Sequence, residues 1–337
     1  MNLSTKYLGL ELKNPIIVGA SNLVTDIEML KKLEEAGASA IVYKSLFEEQ
    51  IHLENLEIHQ QMTDYDERNA EMTNLFPHDL YEAGPEEFIS NFVEARKVVS
   101  IPLIASLNAV YDETWIEYSQ KLEAAGADAL ELNFYAVPTE FDVDGRGIMN
   151  EELDIIEVVK KVVKIPVSVK LSVFYTNPLY TIAEMDKKGA DGFVLFNRFF
   201  QPDINIETES HHFPYNLSSE QDNRLALRFS GLLYDQIKGS VCASQGIFTG
   251  ADVIKMILAG ADAVQVVSTL YKNGPKQITK MLQEIETWMA TRQYESLDDF
   301  RGKLSRAKMK DPFTYKRAQY VDILMKSGEI FKKYPMR

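Results

Sequence analysis

The chain has 337 residues, with 45% hydrophobic and 26% charged content, enough apolar sequence for a sizeable core. Its formal net charge of −14 excludes a phosphate-backbone partner, because no basic stripe offsets the balance, so no nucleic-acid binding is expected. One cysteine, Cys242, excludes an intrachain disulfide and a cluster ligated by this chain's cysteines alone.

The first residues, MNLSTKYLGLELKNP, lack a charged stretch followed by an apolar run, so no secretory signal is expected. No run approaches the roughly 20 apolar residues of a spanning helix, so membrane insertion is not expected. A soluble, cytoplasmic protein is the expectation.

In chain order, eight short apolar runs occur near 16–20, 40–45, 102–107, 129–134, 166–171, 192–197, 241–245 and 263–268. Charged, helix-periodic stretches follow them, from TDIEMLKKLEEAG to PKQITKMLQEIETWM. Four runs are introduced by an internal echo: EAGASAIVYK, AAGADALELN, KKGADGFVLFN and LAGADAVQVVS. In each copy a glycine (Gly37, Gly126, Gly189, Gly260) ends the helix-periodic stretch, where a left-handed residue suits a helix C-terminus. Uniformly apolar runs fit strands buried on both faces of a parallel sheet. Strand then helix, eight times, predicts a single (β/α)8 TIM barrel, with an open doubly wound sheet as the alternative.

Two insertions interrupt the pattern, residues 46–84 and 198–219, and are expected to form lids over the active face or surface decoration. The barrel is expected to occupy residues 1–304. A basic, aromatic tail, 305–337, would dock on the barrel or on a partner subunit.

In such a barrel the strand ends carry the chemistry. They read Ser21, Lys44–Ser45, Ser106, Asn133, Lys170, Asn197, Ser244–Gln245 and Ser268–Thr269, all polar. Two lysines and two asparagines at one mouth are costly to bury without a ligand. The loops after the seventh and eighth runs, with Gly246 and a helix opening at Thr249, suit a phosphate held by backbone N–H groups. Metal binding is not expected: His211 and His212 are adjacent on an extended segment, and His52, His59 and His78 lack ligand spacing. Asp142-Val143-Asp144-Gly145 reads as a turn rather than a calcium loop.

At these residues the chain resembles the dihydroorotate dehydrogenase-like family of FMN-dependent barrels, in its soluble branch. The resemblance is carried by LGLELKNPIIVGAS, AGASAIVYKS, AGADALELN, IPVSVKL, Y-SLDDFRGKLS and, most specifically, ASQGIFTGADVIKMILAGADAVQVVSTLYKNGP. It implies an oxidoreductase of pyrimidine metabolism acting on a CH–CH or C=C bond, with FMN as cofactor. Ser21, Lys44, Ser45, Ser106 and Asn133 would line the flavin, and Lys170 would face the pyrimidine edge of its ring. Phe196 and Asn197 would sit beside flavin and substrate. Ser230–Gly231, Gln245–Gly246 and Ser268–Thr269 would hold the phosphate end. Lys44, Asn74, Asn133 and Asn197 would contact substrate, and Lys44, Asn133 and Tyr135 would be the catalytic set.

The chain departs from the family pattern on the substrate side. Where the family shows Asn-Leu-Ser-Cys-Pro-Asn with a cysteine base, this chain reads Asn133-Phe134-Tyr135-Ala136-Val137-Pro138, so Ala136 stands at the base position and Pro138 near an expected asparagine. The asparagine-rich loop after the second strand is not recognisable in EMTNLFPHDLYEAGPEE. Cys242, inside the seventh strand, is no substitute, leaving Tyr135, Thr139 and Glu140 as groups able to move a proton.

The implied partners are a small-molecule substrate and a diffusible electron acceptor, in a homodimer. A flavin-binding barrel without turnover, or a non-redox enzyme using Lys44 or Lys170 on a phosphorylated metabolite, are the other readings.

Overall fold

A computed structural model describes residues 1–49, 85–109, 111–135, 141–212, 214, 217–326, 328 and 332. The chain begins with an antiparallel hairpin, β1 (Thr5–Tyr7) and β2 (Leu10–Leu12). Eight parallel strands follow: β3 (Ile16–Val18), β4 (Ala40–Val42), β6 (Leu103–Asn108), β7 (Ala129–Asn133), β8 (Val167–Leu171), β9 (Gly192–Leu195), β12 (Ser240–Ala243) and β13 (Ala263–Val266). They are ordered β4-β3-β13-β12-β9-β8-β7-β6, and a β4–β6 pairing closes the ring. The short β5 (Leu46–Phe47) continues the line of β4 against Leu107 and Asn108. This is the expected (β/α)8 barrel, and all eight apolar runs are its strands.

The helices around it are α1 (Ile27–Glu35), α2 (Pro85–Val98), α3 (Asp112–Ala124), α4 (Gly145–Val162), α5 (Pro178–Lys187), α6 (Asn223–Leu233), α7 (Gly250–Ala259), α8 (Ser268–Asn273) and α9 (Lys276–Arg292). None is long and apolar enough to cross a membrane. Thr249 caps α7 in a reciprocal box with Asp252, as its position before the helix predicts. Asp144 caps α4 through the amides of Arg146 and Gly147, so the Asp142–Gly145 segment is a helix start.

The internal echo has a double structural meaning. Its four glycines take φ of 108°, 92°, 99° and 125°, conformations that a side chain would strain. Two residues further on, the echo places a polar side chain that binds the backbone at the start of the preceding strand. Asp128 accepts from the Leu103 amide (2.8 Å), Asp191 from Val167 (2.7 Å) and Asp262 from Val241 (2.7 Å). In the first copy Ser39 instead donates to the Ile16 carbonyl at 2.8 Å. Hydrogen bonds to a charged acceptor stabilise by about 1.5–3 kcal/mol each.

Alternation along the strands divides two cores. Leu130, Leu132, Val167 and Val169 face the helices. Ile17, Ala40, Val42, Ile104, Ala129, Val194, Cys242 and Ala263 fill the lumen, where Tyr7, Leu8 and Leu12 of the hairpin plug the lower end. Beyond α9 the chain runs along this end: Gly302 and Leu304 donate to Ile257 and Leu258, and Arg301 bonds the Ala261 carbonyl and Thr5. The Tyr234 ring lies against both Gly260 and Gly302, where a Cβ would come within 2.5 and 2.4 Å of it. Past residue 304, Arg306 donates to the Gly231 carbonyl and Tyr315 to the Leu304 carbonyl, before α10 (Ala318–Met325).

Candidate functional site

The parity that sends Ala40, Val42, Ile104, Ala129 and Cys242 into the lumen sends Lys44, Ser106, Asn133 and Ser244 there too, one layer higher. On β8, Lys170 shares the parity of Ser168 and reaches the same layer, buried at 8% exposure. Five strands thus bring polar side chains to one mouth without any loop being needed to aim them.

Lys44 is half-buried and makes no ion pair among the described residues. Tyr43 before it turns outward, edge-on to Phe88 and Phe92 of α2, which fixes the direction of Lys44. Ser45 and Ser106 are buried and joined hydroxyl to hydroxyl at 2.7 Å. Asn197 donates to the Asn133 side-chain oxygen at 2.6 Å, and Asn108 donates to the Asn133 carbonyl at 2.9 Å. Ser21 keeps a buried hydroxyl with no hydrogen-bond partner among the described residues.

Beside this layer lies a small cavity of about 130 Å³ between Ala20, Lys170, Asn197, Arg198, Ser218, Gln245, Gly246, Gln265 and Ser268. Among the described residues, the amides of Gln245, Gly246, Ser268 and Thr269 have no acceptor. Unengaged amides around a cavity at the start of a helix are suited to an anion. Gln245 sits at φ 70°, and its side chain donates to the carbonyls of Phe196 (2.9 Å) and Asn197 (2.6 Å).

The structure does not bring every expected residue here. Ser230 and Gly231 lie inside α6, buried, with Gly231 packed against Tyr315; they are away from the cavity. The position is filled instead by Ser218, whose amide and hydroxyl meet the Ser268 hydroxyl at 3.0 and 2.7 Å. The ring of Phe196 turns outward, edge-on to Phe229 of α6, so only its carbonyl borders the mouth. Asn74, Ala136, Pro138, Thr139 and Glu140 lie outside the described residues, as do His52, His59 and His78. His211 and His212 lie on β11 (Ser210–His212), paired with β10 (Asp203–Asn205), and no metal-type cluster of three is present among the described residues.

Tyr135 rests on the rim. Its ring stacks on Phe199 at 4.8 Å, and its oxygen accepts from the Phe200 amide at 3.1 Å. That bond occupies a lone pair and leaves the phenolic proton to point elsewhere. Cys242 is fully buried in the lumen, where burial, and next the charge of Glu131, push its thiol well above the usual range.

Two residues escaped the strand-end reading because they lie one layer down. Glu131 and Gln265 are 1% and 2% exposed, and they are polar residues inside otherwise apolar runs, ALELN and AVQVV. A buried polar side chain needs a partner, and that was the available signal. Gln265 donates to Glu131, while Lys170 Nζ lies 3.4 Å from Gln265 Oε1 and 3.5 Å from Glu131 Oε1.

A second cavity, about 770 Å³, opens on the other side of β7 between Phe134, Met149, Glu152, Phe174, Tyr175 and Tyr180. Burial raises the Glu152 carboxyl to about 7, opposed by the Tyr175 hydroxyl that donates to both its oxygens at 2.9 and 3.0 Å.

A closed parallel barrel with lysine, asparagine and unengaged amides at one mouth defines a (β/α)8 protein with a ligand site at the strand C-termini. A model of the dihydroorotate dehydrogenase family matches residues 2–289, and the chain belongs to that family. It is 28% identical over 305 residues to the catalytic subunit of dihydroorotate dehydrogenase B (NAD(+)) of Thermoplasma volcanium, covering 89% of this chain and 98% of that protein. The corresponding Methanocaldococcus jannaschii protein is 25% identical over 295 residues, covering 85% and 93%. A putative dihydroorotate dehydrogenase A (fumarate) of Aeropyrum pernix is 24% identical over 322 residues, covering 90% and 98%.

Proposed function

We propose that the chain is an FMN-dependent oxidoreductase that adds or removes hydrogen across a CH–CH or C=C bond of a small, polar, dihydroorotate-like molecule. The observation that carries this reading is the row of donors at the mouth: Lys170, held from below by Glu131, and the amides of Gln245, Gly246, Ser268 and Thr269, which have no acceptor among the described residues. A flat polar ring at the lysine end and a phosphate at the α8 end match that row group for group.

In this reading the four amides and Ser218 bind the phosphate, while Ser21, Ser45, Ser106 and Lys170 line the ring. When bound, FMN supplies the acceptor for a hydride. The chain supplies the rest. Asn133 and Asn197 orient the substrate's polar groups, and Lys44 gives it a positive counter-charge. A base must take the second hydrogen as a proton, and its absence typically lowers the rate by about 10²–10⁴. Ala136 stands where the family pattern has its cysteine base, so Tyr135 is assigned the proton, its oxygen taking the substrate's proton as its own phenolic proton passes to solvent at the rim.

An anaerobic visible spectrum tests the reading. Purified protein should show flavin bands that bleach with dihydroorotate or a close dihydropyrimidine acid. Flavin bands that persist against all such compounds would favour the second reading, a flavin-binding barrel without turnover, which Ala136 supports. Protein that takes up no FMN would overturn both.

A further inference from the structure

Below the mouth, the lumen holds one buried ionic group that the proposed reaction does not use. Glu131 is 1% exposed, two residues below Asn133 on β7. One carboxylate oxygen accepts from Gln265; the other has no hydrogen bond among the described residues and lies 3.5 Å from Lys170 Nζ. A buried carboxylate with an unsatisfied oxygen is costly unless a charge faces it. Here that charge is Lys170, and the same lysine borders the cavity above. Lys170 therefore stands between a fixed negative charge beneath it and whatever occupies the mouth.

We propose that Glu131 is a positioning residue, the counter-charge that holds Lys170 in the lumen and sets how strongly the lysine favours the electron-rich form of a bound flavin. The inference rests on the FMN reading and deepens it. With Glu131 ionised, the pair is nearly neutral, and the field that Lys170 projects upward is reduced. Neutralising Glu131 unmasks the lysine, so a ring carrying negative charge gains more than a neutral one. Gln265 is the third member: it holds the carboxylate in place and presents its own oxygen to the ammonium at 3.4 Å.

The test is the midpoint potential of FMN in the holoprotein, measured anaerobically against a reference dye, for wild type, E131Q, K170M and the double variant. E131Q should move the potential to more positive values, with the preference for reduced over oxidised FMN rising at least about tenfold, which is about 30 mV for a two-electron couple. K170M should move it the opposite way. The double variant should match K170M, because a carboxylate this buried does not keep its charge once the lysine that faces it is gone, so there is nothing left for the second substitution to neutralise. E131D keeps the charge but withdraws it, and should shift the potential in the direction of E131Q by less; it serves if E131Q does not fold. An unchanged potential in E131Q or E131D overturns the proposal, as does an equal E131Q shift with Lys170 removed. Wild-type protein that holds no FMN overturns the flavin reading itself, a result distinct from either.

Discussion

Asn197 and Asn133 are joined side chain to side chain at 2.6 Å, so the ends of β9 and β7 are tied across β8, the strand that carries Lys170. Each amide fixes the rotamer of the other. Replacing Asn197 with alanine leaves the buried Asn133 oxygen without its partner, which costs about 1–3 kcal/mol. N197A should lower the rate of flavin reduction by substrate tenfold or more while retaining FMN. Stopped-flow reduction and the absorbance of the purified variant together check it; loss of FMN with normal reduction in reconstituted protein would contradict it.

Asp191 holds the start of β8 through the Val167 amide and pairs with Lys160 at 2.6 Å. D191A removes both and strands a part-buried N–H. A loss of roughly 2–3 kcal/mol is expected in urea unfolding. The effect lies at the barrel's lower end, so the flavin potential should not move. A variant as stable as wild type would remove the bridging role assigned to the echo.

Gln245 adopts φ 70°, a conformation that costs a non-glycine residue on the order of 1–2 kcal/mol, and offsets it with two bonds to the carbonyls that end β9. Q245A keeps the backbone cost and loses the bonds. Q245G loses both. Melting temperatures should therefore rank wild type, Q245G, Q245A, with FMN release fastest from Q245A. Equal release from the two variants would refute the ranking.

Glu152 gives a pH signature. In the unfolded chain it titrates near 4.5, and in the folded protein burial holds it at about 7. Between those values the folded state binds more protons, so stability falls as pH rises from about 4.5 to about 7. Its contribution to the slope is at most about 3 kcal/mol over that window, and nothing further is lost above it. E152Q keeps an acceptor for Tyr175 and should flatten the curve. Denaturation midpoints of both proteins at pH 5 and pH 8 measure the difference; parallel curves would dismiss the assignment.

The barrel was legible because its strands are apolar throughout and its glycines mark helix ends, signals local to a few residues. The hairpin of β1 and β2 was not, since three-residue strands are too short to establish a period. The placement of Lys44, Asn133 and Lys170 at the mouth is legible because strand ends are identifiable in one dimension. That Ser218 rather than Ser230–Gly231 borders the cavity is not legible, because it depends on how the 198–219 insertion folds back to Ser268, a contact 50 residues away in the chain. Phe196 illustrates the same limit: its ring direction depends on packing against Phe229, a residue of a helix that follows a long insertion. Glu131 and Gln265 carried a signal, a polar residue in an apolar strand, whose meaning depends on contact between strands far apart in the chain.

The polar side chains of the echo have an architectural consequence. Asp128, Asp191 and Asp262 each reach back to the preceding barrel strand, and Ser39 does the same, so the eight strands are stapled as four pairs: β3–β4, β6–β7, β8–β9 and β12–β13. The ring is thus a cycle of four two-strand modules, with seams after β4, β7, β9 and β13. Both long insertions, 46–84 and 198–219, fall at seams, and so does the segment after β7 that carries Ala136. Across three of those seams the reach runs forward from a helix instead: Glu34, Glu123 and Asp186 accept from the amides of Ser100, Lys164 and Gly239, so the modules are coupled through their outer helices while the strand ends between them carry the long loops.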